Sequence, residues 1–450
     1  MTKRKLEARE ASMLALTRVA EGAFINLALA EVLPSVPDQR DRRLAAEIAY
    51  GVTTYKSTLD WLIEQVAGRS VAKLDKPLPD ILRIGFYQLF YLDRVPQAAA
   101  VHTTVELVKK SKKRALAPFV NGVLRGALRK KNSLTWPERE QDEVAFLSLR
   151  YAHPEWLVKR WLKRFGAQVA EALLAANNRP APVSLRVNTL KITREGLLAA
   201  LAGEGVAAAE SGITSEGVLL QTGGQLTGLD AYRQGWCQIQ GESAMLVSRA
   251  LDPQPGERVL DACSAPGGKT THLAQLMQNK GEIVALDIYP HRLALVENNC
   301  RRLGVAIVRT ALRDARESPG TQIGQFDRIL LDVPCSGFGV IRRKPDLKWR
   351  RQEAELAELA TLQRTMLRAT ATVLRPDGSI IYSTCTNEPE ETEDVVASFL
   401  AEHPAFRAED IRPYLPEPWR ESAGSAGVHL YPHLHGVDGF FICRLTMNKK

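Results

Sequence analysis

The 450-residue chain has only six cysteines, at positions 237, 263, 300, 335, 385 and 443, and no two of them form a C-x-x-C pair. That spacing argues against a zinc ribbon and against the disulfide framework on which small secreted domains rely. Nowhere do eighteen apolar residues run together, so no membrane-spanning helix is expected. The opening stretch MTKRKLEAREASMLALTRVAEG breaks each short apolar run with charge, so no signal peptide is expected and the chain is placed in the cytoplasm. Internal repeats and low-complexity segments are missing as well. What is present, 45% hydrophobic residues over this length, suffices for several domains with their own cores.

Acids are absent from one stretch dense in cations. Lys109, Lys110, Lys112, Lys113, Arg114, Arg125, Arg129, Lys130 and Lys131 fall together without a single Asp or Glu between them. A solvated helix face mixes its signs, so this run, on a chain of net charge +9, points to a polyanion-binding surface. Residues 1–144 read as all helix, with apolar residues at three and four spacing in EASMLALTRVAEGAFINLALAEVL, DRRLAAEIAYGVTTYKSTLDWLIEQVA, LPDILRIGFYQLFYL, AAAVHTTVELVKKS and APFVNGVLRGALRKK. Residues 145–235 read as a small α+β module: two helices around PEWLVKRWLKRFG and AQVAEALLAANNR, then strands VSLRVNTL and EGVLLQTG flanking a helix. From 236 to 450, strands RVLDAC, EIVALDI, AIVRTA, FDRILLDV and SIIYSTC alternate with helical segments. That rhythm implies an α/β, doubly wound parallel sheet, which binds ligands beyond the carboxyl ends of its strands.

The stretch SAPGGKTTHLAQ imitates a phosphate loop, but the first glycine is missing. Counting back five from Gly268 lands on Cys263, and Pro266 removes a backbone donor. Two glycines at a strand-to-helix turn still allow close approach of a ligand, which suits a nucleoside cofactor without phosphates such as S-adenosylmethionine. Asp287 closes the next strand nineteen residues after Gly268, where an acid can hold both ribose hydroxyls, and Asp314 follows the third strand, where it can meet an adenine amino edge.

Cys335 in LLDVPCSGFG and Cys385 in YSTCTNEPEE follow successive strands and so belong to the rim that carries the glycine loop. A lone cysteine is most often a small core residue. A thiol beside a methyl donor, however, suits methylation at carbon 5 of a pyrimidine, a carbon that becomes nucleophilic only after a thiolate adds to carbon 6. The stretches DACSAPGGKTTHLA, LLDVPCSGFGVIRRKPDLKW, YSTCTNEPEETEDVV and the terminal DGFF resemble the motifs of the RNA cytosine-5 methyltransferases of the Sun/NOL1/NOP2 family, from about residue 150 to the carboxyl terminus. The amino-terminal half, including FVNGVLRGALRK, is similar to the RNA-binding NusB fold.

The resemblance implies a NusB-like helical domain, a small module and a Rossmann-like methyltransferase domain. It also implies S-adenosylmethionine as methyl donor and a cytosine of bacterial small-subunit ribosomal RNA as substrate. By motif it makes Cys385 the nucleophile at carbon 6, Cys335 the thiol that assists release, and Asp332 a group at the pyrimidine edge near nitrogen 3. Cofactor contacts are implied for Cys263, Ser264, Ala265, Pro266, Gly267, Gly268, Lys269, Asp287, Asp314 and Asp332; Ser264 stands where many relatives have alanine. A rival reading, a non-catalytic RNA-binding assembly factor, would show loss of a thiol or of the ribose acid, and both are present.

IRRKPDLKWRR interleaves Arg342, Arg343, Lys344, Lys348, Arg350 and Arg351 with Trp349 directly after Cys335, which reads as an RNA contact. His429, His433 and His435 lack the acidic or cysteine partners of a metal site, so no metal is expected. The chain is expected to act as a monomer.

Overall fold

The computed structural model describes residues 5–221, 226–317 and 324–447. Two compact units emerge: residues 1–179 with 341–351, and residues 180–340 with 352–450.

The first unit is helical, with α1 (Ala8–Ala20), α2 (Ile25–Val32), α3 (Gln39–Thr54), α4 (Lys56–Ala67), α5 (Leu78–Tyr91), α6 (Gln97–Lys109), α7 (Ala117–Lys130), α8 (Glu143–Arg150) and α9 (Glu155–Asn177). Local chemistry sets the breaks that apolar spacing alone leaves open. Gly22, at φ +110°, separates α1 from α2. The Asp38 carboxylate accepts the Arg40 and Asp41 amide hydrogens at 2.8 and 3.1 Å and starts α3. Ile48, Leu59, Ile63, Leu82, Ile84 and Phe86 are wholly buried at the centre, each contributing about 1.5–3 kcal/mol through removal from water.

The break in compactness falls at 179/180, because α8 packs on α4 and α9 on α8; Thr58 Oγ1, for example, donates to the Leu149 carbonyl at 2.5 Å. Residues 180–340 and 352–450, which hold both sheets described below, form one compact unit. The basic run is also less bare than its sequence. Lys109 pairs with Glu106 at 2.7 Å, Lys110 with Glu7 and Glu10 at 3.2 Å, and Lys113 with Asp75 at 2.6 Å. These acids come from the neighbouring turn or from distant segments, out of sight of the run itself, while Lys112, Arg114, Arg125, Arg129 and Lys130 stay exposed. Finally, the cationic segment after Cys335 is largely an internal brace of the helical unit. Lys348 is fully buried and donates to Asn178 Oδ1 at 3.0 Å; Trp349 Nε1 donates to the Thr53 carbonyl at 2.6 Å; Arg350 donates to the carbonyls of Gly22 and Ala23.

The second unit holds two sheets. β1 (Val183–Val187), β2 (Ala208–Glu210), β3 (Gly217–Leu220) and β4 (Cys237–Ile239) form an antiparallel sheet in the order β2-β3-β1-β4. The strand expected over EGVLLQTG ends at Leu220, and its residues 222 and 223 lie outside the described residues. In the larger sheet, β5 (Arg258–Asp261), β6 (Glu282–Asp287), β7 (Val308–Leu312), β8 (Phe326–Asp332) and β9 (Leu374–Thr384) are parallel in the order β7-β6-β5-β8-β9. Strand order therefore reverses between β5 and β8, where such sheets open a crevice. After β10 (Phe406–Glu409), β11 (Ala423–Gly424) and β12 (Gly427–Leu430), the last strand β13 (Phe440–Met447) lies antiparallel between β9 and β12. The sheet is thus mixed at this end, where only the parallel strands were expected.

Two backbones meet closely beside β13. The Gly439 amide donates to the Gly339 carbonyl at 2.8 Å, and the Gly339 amide donates to the Cys385 carbonyl at 2.9 Å. A Cβ on Gly339 would stand 2.0 Å from the Gly439 carbonyl oxygen, a backbone atom without a flexible way out. Gly339→Ala should therefore destabilise this unit by on the order of 2–4 kcal/mol. Calorimetric melting of the full chain checks this, and an unchanged transition would contradict it.

Candidate active site

The carboxyl ends of the parallel strands gather the residues singled out by the motifs. Burial, and then the negative charges of Asp261, Asp332, Asp287 and Asp314, push the Cys263 thiol well above its usual range. All four carboxylates, from the ends of β5, β8 and β6 and from just beyond β7, are thus within electrostatic reach of one atom.

The glycine loop follows β5. Ser264 fastens it to β6 by donating both its amide and its hydroxyl hydrogen to the Leu286 carbonyl at 2.9 Å. Gly267 adopts φ +97°, and a Cβ there would press on the Val296 backbone at 3.0 Å. Gly268 opens the helix Gly268–Leu276, and a Cβ built on it meets nothing within 4 Å. The loop therefore leaves its backbone open to a ligand at a helix amino terminus. Asp287 is 9% exposed, and its Oδ1 accepts the Tyr289 amide hydrogen at 2.9 Å. Asp314 is already engaged: Arg316 donates to it from its amide at 2.9 Å and from its guanidinium at 2.8 and 2.5 Å, which lowers the Asp314 pKa.

Lys269 belongs to the same loop by sequence but turns its ammonium to Asp332, 2.6 Å away. Burial disfavours its charge, yet Asp332 outweighs this and raises its pKa, with Cys385 adding to the effect. Reciprocally, the ammonium favours a thiolate at Cys385. Ser383, on β9 opposite Asp332, donates to the second carboxylate oxygen at 2.8 Å.

The two motif cysteines meet: Cys335 Sγ and Cys385 Sγ are 3.2 Å apart. Their shared hydrogen bond, followed by burial, keeps Cys335 protonated well above the usual thiol range. The loop that carries Cys335 is clasped by a residue that motif reading missed. The buried Glu391 carboxylate accepts the Ser336 amide hydrogen and a Gln363 amide hydrogen, each at 2.9 Å, while Gln363 also donates to the Pro334 carbonyl at 3.0 Å. Glu391 stands six residues after Cys385, inside the stretch YSTCTNEPEETEDVV, where the neighbouring acids hide which one turns inward.

Arg186 on β1 was missed as well. It is 1% exposed and donates to the Gly268 carbonyl at 2.6 Å, to Thr271 Oγ1 at 3.0 Å and to Gln240 Oε1. Arg302 reaches from the helix Pro290–Leu303 to the carbonyls of Tyr232 and Cys237 at 2.9 and 2.8 Å. These bonds seat the small sheet against the glycine loop. Two of the three histidines are tied into the fold: His429, for which no acidic partner was expected, meets Asn387 at 2.9 Å and Glu393 at 3.0 Å, and His435 accepts the Tyr431 amide hydrogen at 2.9 Å. Among the described residues, no group of His, Cys, Asp or Glu is arranged to hold a metal ion, and no helix is long and apolar enough to cross a membrane.

A doubly wound sheet with an open glycine loop, an acid closing the second strand and two thiols on the facing strands defines a Rossmann-like, S-adenosylmethionine-dependent methyltransferase. Family profiles agree with each region: "16S rRNA methyltransferase RsmB/F" over residues 248–446, "NusB family" over 6–129, and an RsmF/B-like ferredoxin-like domain over 153–227. The chain is 38% identical, over 99% of its length and 100% of the relative's, to a Bacillus subtilis protein named "Probable ribosomal RNA small subunit methyltransferase B". It is 38% identical to the Pseudomonas putida "Ribosomal RNA small subunit methyltransferase B", covering 97% of this chain and 98% of that one. The crystal structure titled "Crystal Structure of PH0851" superposes with a TM-score of 0.85 at 28% identity, covering 99% of this chain and 100% of the other. The chain belongs to the RsmB/F family of 16S rRNA methyltransferases.

Asp261 offers a test of the site's electrostatics. Wholly buried, it accepts a hydrogen bond from Thr270 Oγ1 at 2.7 Å, and burial pushes its pKa up to about 7. A group raised above its unfolded value of about 4 stabilises the fold in acid, and that contribution is lost as pH rises through about 7. Between pH 5 and 8 the native protein should lose about 2–3 kcal/mol more stability than Asp261→Asn. Urea unfolding at the two pH values measures the difference, and parallel losses would show that the carboxylate is charged throughout.

Proposed function

We propose that this protein methylates carbon 5 of a cytosine in bacterial 16S ribosomal RNA, in the cytoplasm, through a covalent bond between Cys385 and carbon 6. The observation that carries the reading is the pair of thiols 3.2 Å apart beside Asp332 and Lys269. S-adenosylmethionine, when bound, supplies an electrophilic methyl group. The residues Cys263 to Lys269 form its cradle, with Gly268 open to it. Asp287, whose Oδ1 takes the Tyr289 amide hydrogen, keeps Oδ2 for the ribose hydroxyls. Asp314 is held by Arg316, and a second lone pair on its carboxylate meets the adenine amino group.

The thiols act in turn. Two sulfurs in contact cannot both ionise easily, and the Lys269 ammonium favours the charge on Cys385. Cys385 gives its proton to solvent, and its thiolate forms a bond to carbon 6, which places the electron pair on carbon 5. Asp332, fixed by Lys269 and Ser383, orients the base at its nitrogen 3 edge. Carbon 5 takes the methyl group, and the bonding pair stays with the departing sulfur. Once Cys385 is a thioether the repulsion is gone, so Cys335 can lose its own proton and accept the one on carbon 5. The electron pair of that C–H bond restores the double bond and expels the Cys385 thiolate. The target base must first leave its stack, which an unpaired ribosomal loop makes cheap.

Two measurements test this. Asp287→Ala should weaken S-adenosylmethionine binding by tenfold or more, at about 1.5–3 kcal/mol per charge-assisted hydrogen bond. Unchanged calorimetric affinity would remove Asp287 from the site. Cys335→Ala should methylate the base and then stall, migrating with RNA on a denaturing gel, whereas Cys385→Ala should form no adduct. The mirror result would make Cys335 the nucleophile. Bisulfite sequencing of rRNA from a deletion strain locates the cytosine, and full methylation without the gene would overturn the reading.

A further inference from the structure

Tyr55, Phe90, Tyr91, Trp136 and Tyr151 bring five aromatic rings to one cleft of about 420 Å³ within the helical unit. They arrive from the α3–α4 junction, the end of α5 and the loops flanking α8, so only the fold unites them. None is fully buried, yet several are held firmly from behind. Tyr55 stacks on Tyr91 at 4.3 Å between ring centroids, Trp136 packs on Trp61 at 4.6 Å, and the Tyr151 hydroxyl donates to Glu171 at 2.9 Å. Rings of a hydrophobic core are closed to water; these form an open, braced apolar platform with polar tips.

The charged residues in the cleft wall are both cations, and Glu171 behind Tyr151 is paired with Arg139 at 2.8 Å. Arg150 and Arg179 line the cleft and are exposed, and no carboxylate is part of its wall. The Arg150 guanidinium lies 6.0 Å from the Trp136 ring centroid, and the Lys131 ammonium 5.4 Å from that of Phe90. Another cleft of the same unit is larger, about 640 Å³, but its wall mixes Asp60, Glu64, Asp80 and Asp346 with Lys56, Lys76, Arg83 and Arg350, so it offers a phosphate no net positive charge. At the aromatic cleft, Asn178 adds a fixed polar edge: its amide donates to the Tyr151 carbonyl at 2.6 Å and its oxygen accepts from Lys348 at 3.0 Å.

We propose that this cleft binds an unpaired nucleobase of the RNA substrate, stacked on its aromatic rings, while Arg150 and Arg179 take the neighbouring phosphates. Flat π-faces next to guanidinium planes are what single-stranded RNA stacks on, whichever base is offered. The inference rests on RNA being the substrate, and it makes this a second base pocket, separate from the one that presents cytosine to Cys385. Single-stranded context around the target would then be read by the helical unit.

The test uses the full chain and a fluorescently labelled single-stranded RNA 12-mer, with binding followed by anisotropy. Trp136→Ala should weaken binding about 5- to 100-fold, the effect of losing one base–aromatic stack, and Trp136→Phe should restore most of it. Arg150→Ala with Arg179→Ala should weaken binding and reduce the slope of log affinity against log salt by about 1.4, at about 0.7 per phosphate contact. The arginine pair is exposed and keeps the test decisive if Trp136→Ala fails to fold, which its melting curve shows. Wild-type affinity in folded variants overturns the proposal. So does equal loss of affinity for a blunt RNA duplex, which would reveal a phosphate surface and no base pocket. Methyl transfer to rRNA by the wild type is assayed alongside: transfer with normally binding variants sinks the cleft alone, and a wild type that transfers nothing sinks the functional reading itself.

Discussion

Two sulfur atoms 3.2 Å apart can share a proton but cannot both carry charge at little cost, and the second unit is arranged around that fact. Contact between loops that follow different strands requires each loop to be held. One is held from below, where the Cys385 carbonyl accepts the Gly339 amide hydrogen and Gly339 in turn abuts Gly439. The other is held from the side, where Glu391 and Gln363 occupy the backbone of residues 334 and 336. The DGFF stretch acts in this arrangement through the missing side chain of its glycine.

The same economy governs the rim beside the glycine loop. Four carboxylates crowd the strand ends, and each is kept in place by a different device: a hydroxyl for Asp261, a backbone amide for Asp287, an arginine for Asp314, an ammonium and a hydroxyl for Asp332. A buried arginine from the small sheet completes the frame. Arg186 costs desolvation and leaves its Nε without an acceptor, but its two terminal nitrogens tie the first turn of the loop helix to β1. That tie explains why the small module and the large sheet form one compact unit.

Much of this was legible in the chain. Alternation of strand and helix marked β5 to β8 to within two residues at each end, and the carboxyl end of β9, which begins five residues earlier than expected, at Leu374. The acids and thiols of the rim were visible because they sit directly after the apolar runs of those strands. Strands β10 to β13 were not: β10 to β12 are only two to four residues long, and β13, antiparallel to β9, falls outside the alternation of parallel strand and helix. Counting charges along the sequence misjudged Lys110 and Lys113, whose partners Glu7 and Asp75 lie far away in the chain. It misjudged Lys348 for the opposite reason: nothing local tells a buried ammonium from an exposed one. Glu391 and Arg186 act through backbone atoms of distant residues, a relation no spacing rule encodes.

The excursion of residues 341–351 into the helical unit has a consequence for how such proteins can be built or dismantled. The chain crosses between its units three times, at 179, at 340 and at 351. A helical domain joined by a single linker can be lost, swapped or expressed alone; one that borrows an internal strap from its neighbour cannot. Truncation at residue 180 would strand Leu347, Lys348 and Trp349 without the interior that receives them, and the isolated helices would keep a gap where the strap belonged. Gene fusion or fission at this junction would therefore be viable only together with a rewritten loop after Cys335, which makes the two units a single inheritable piece.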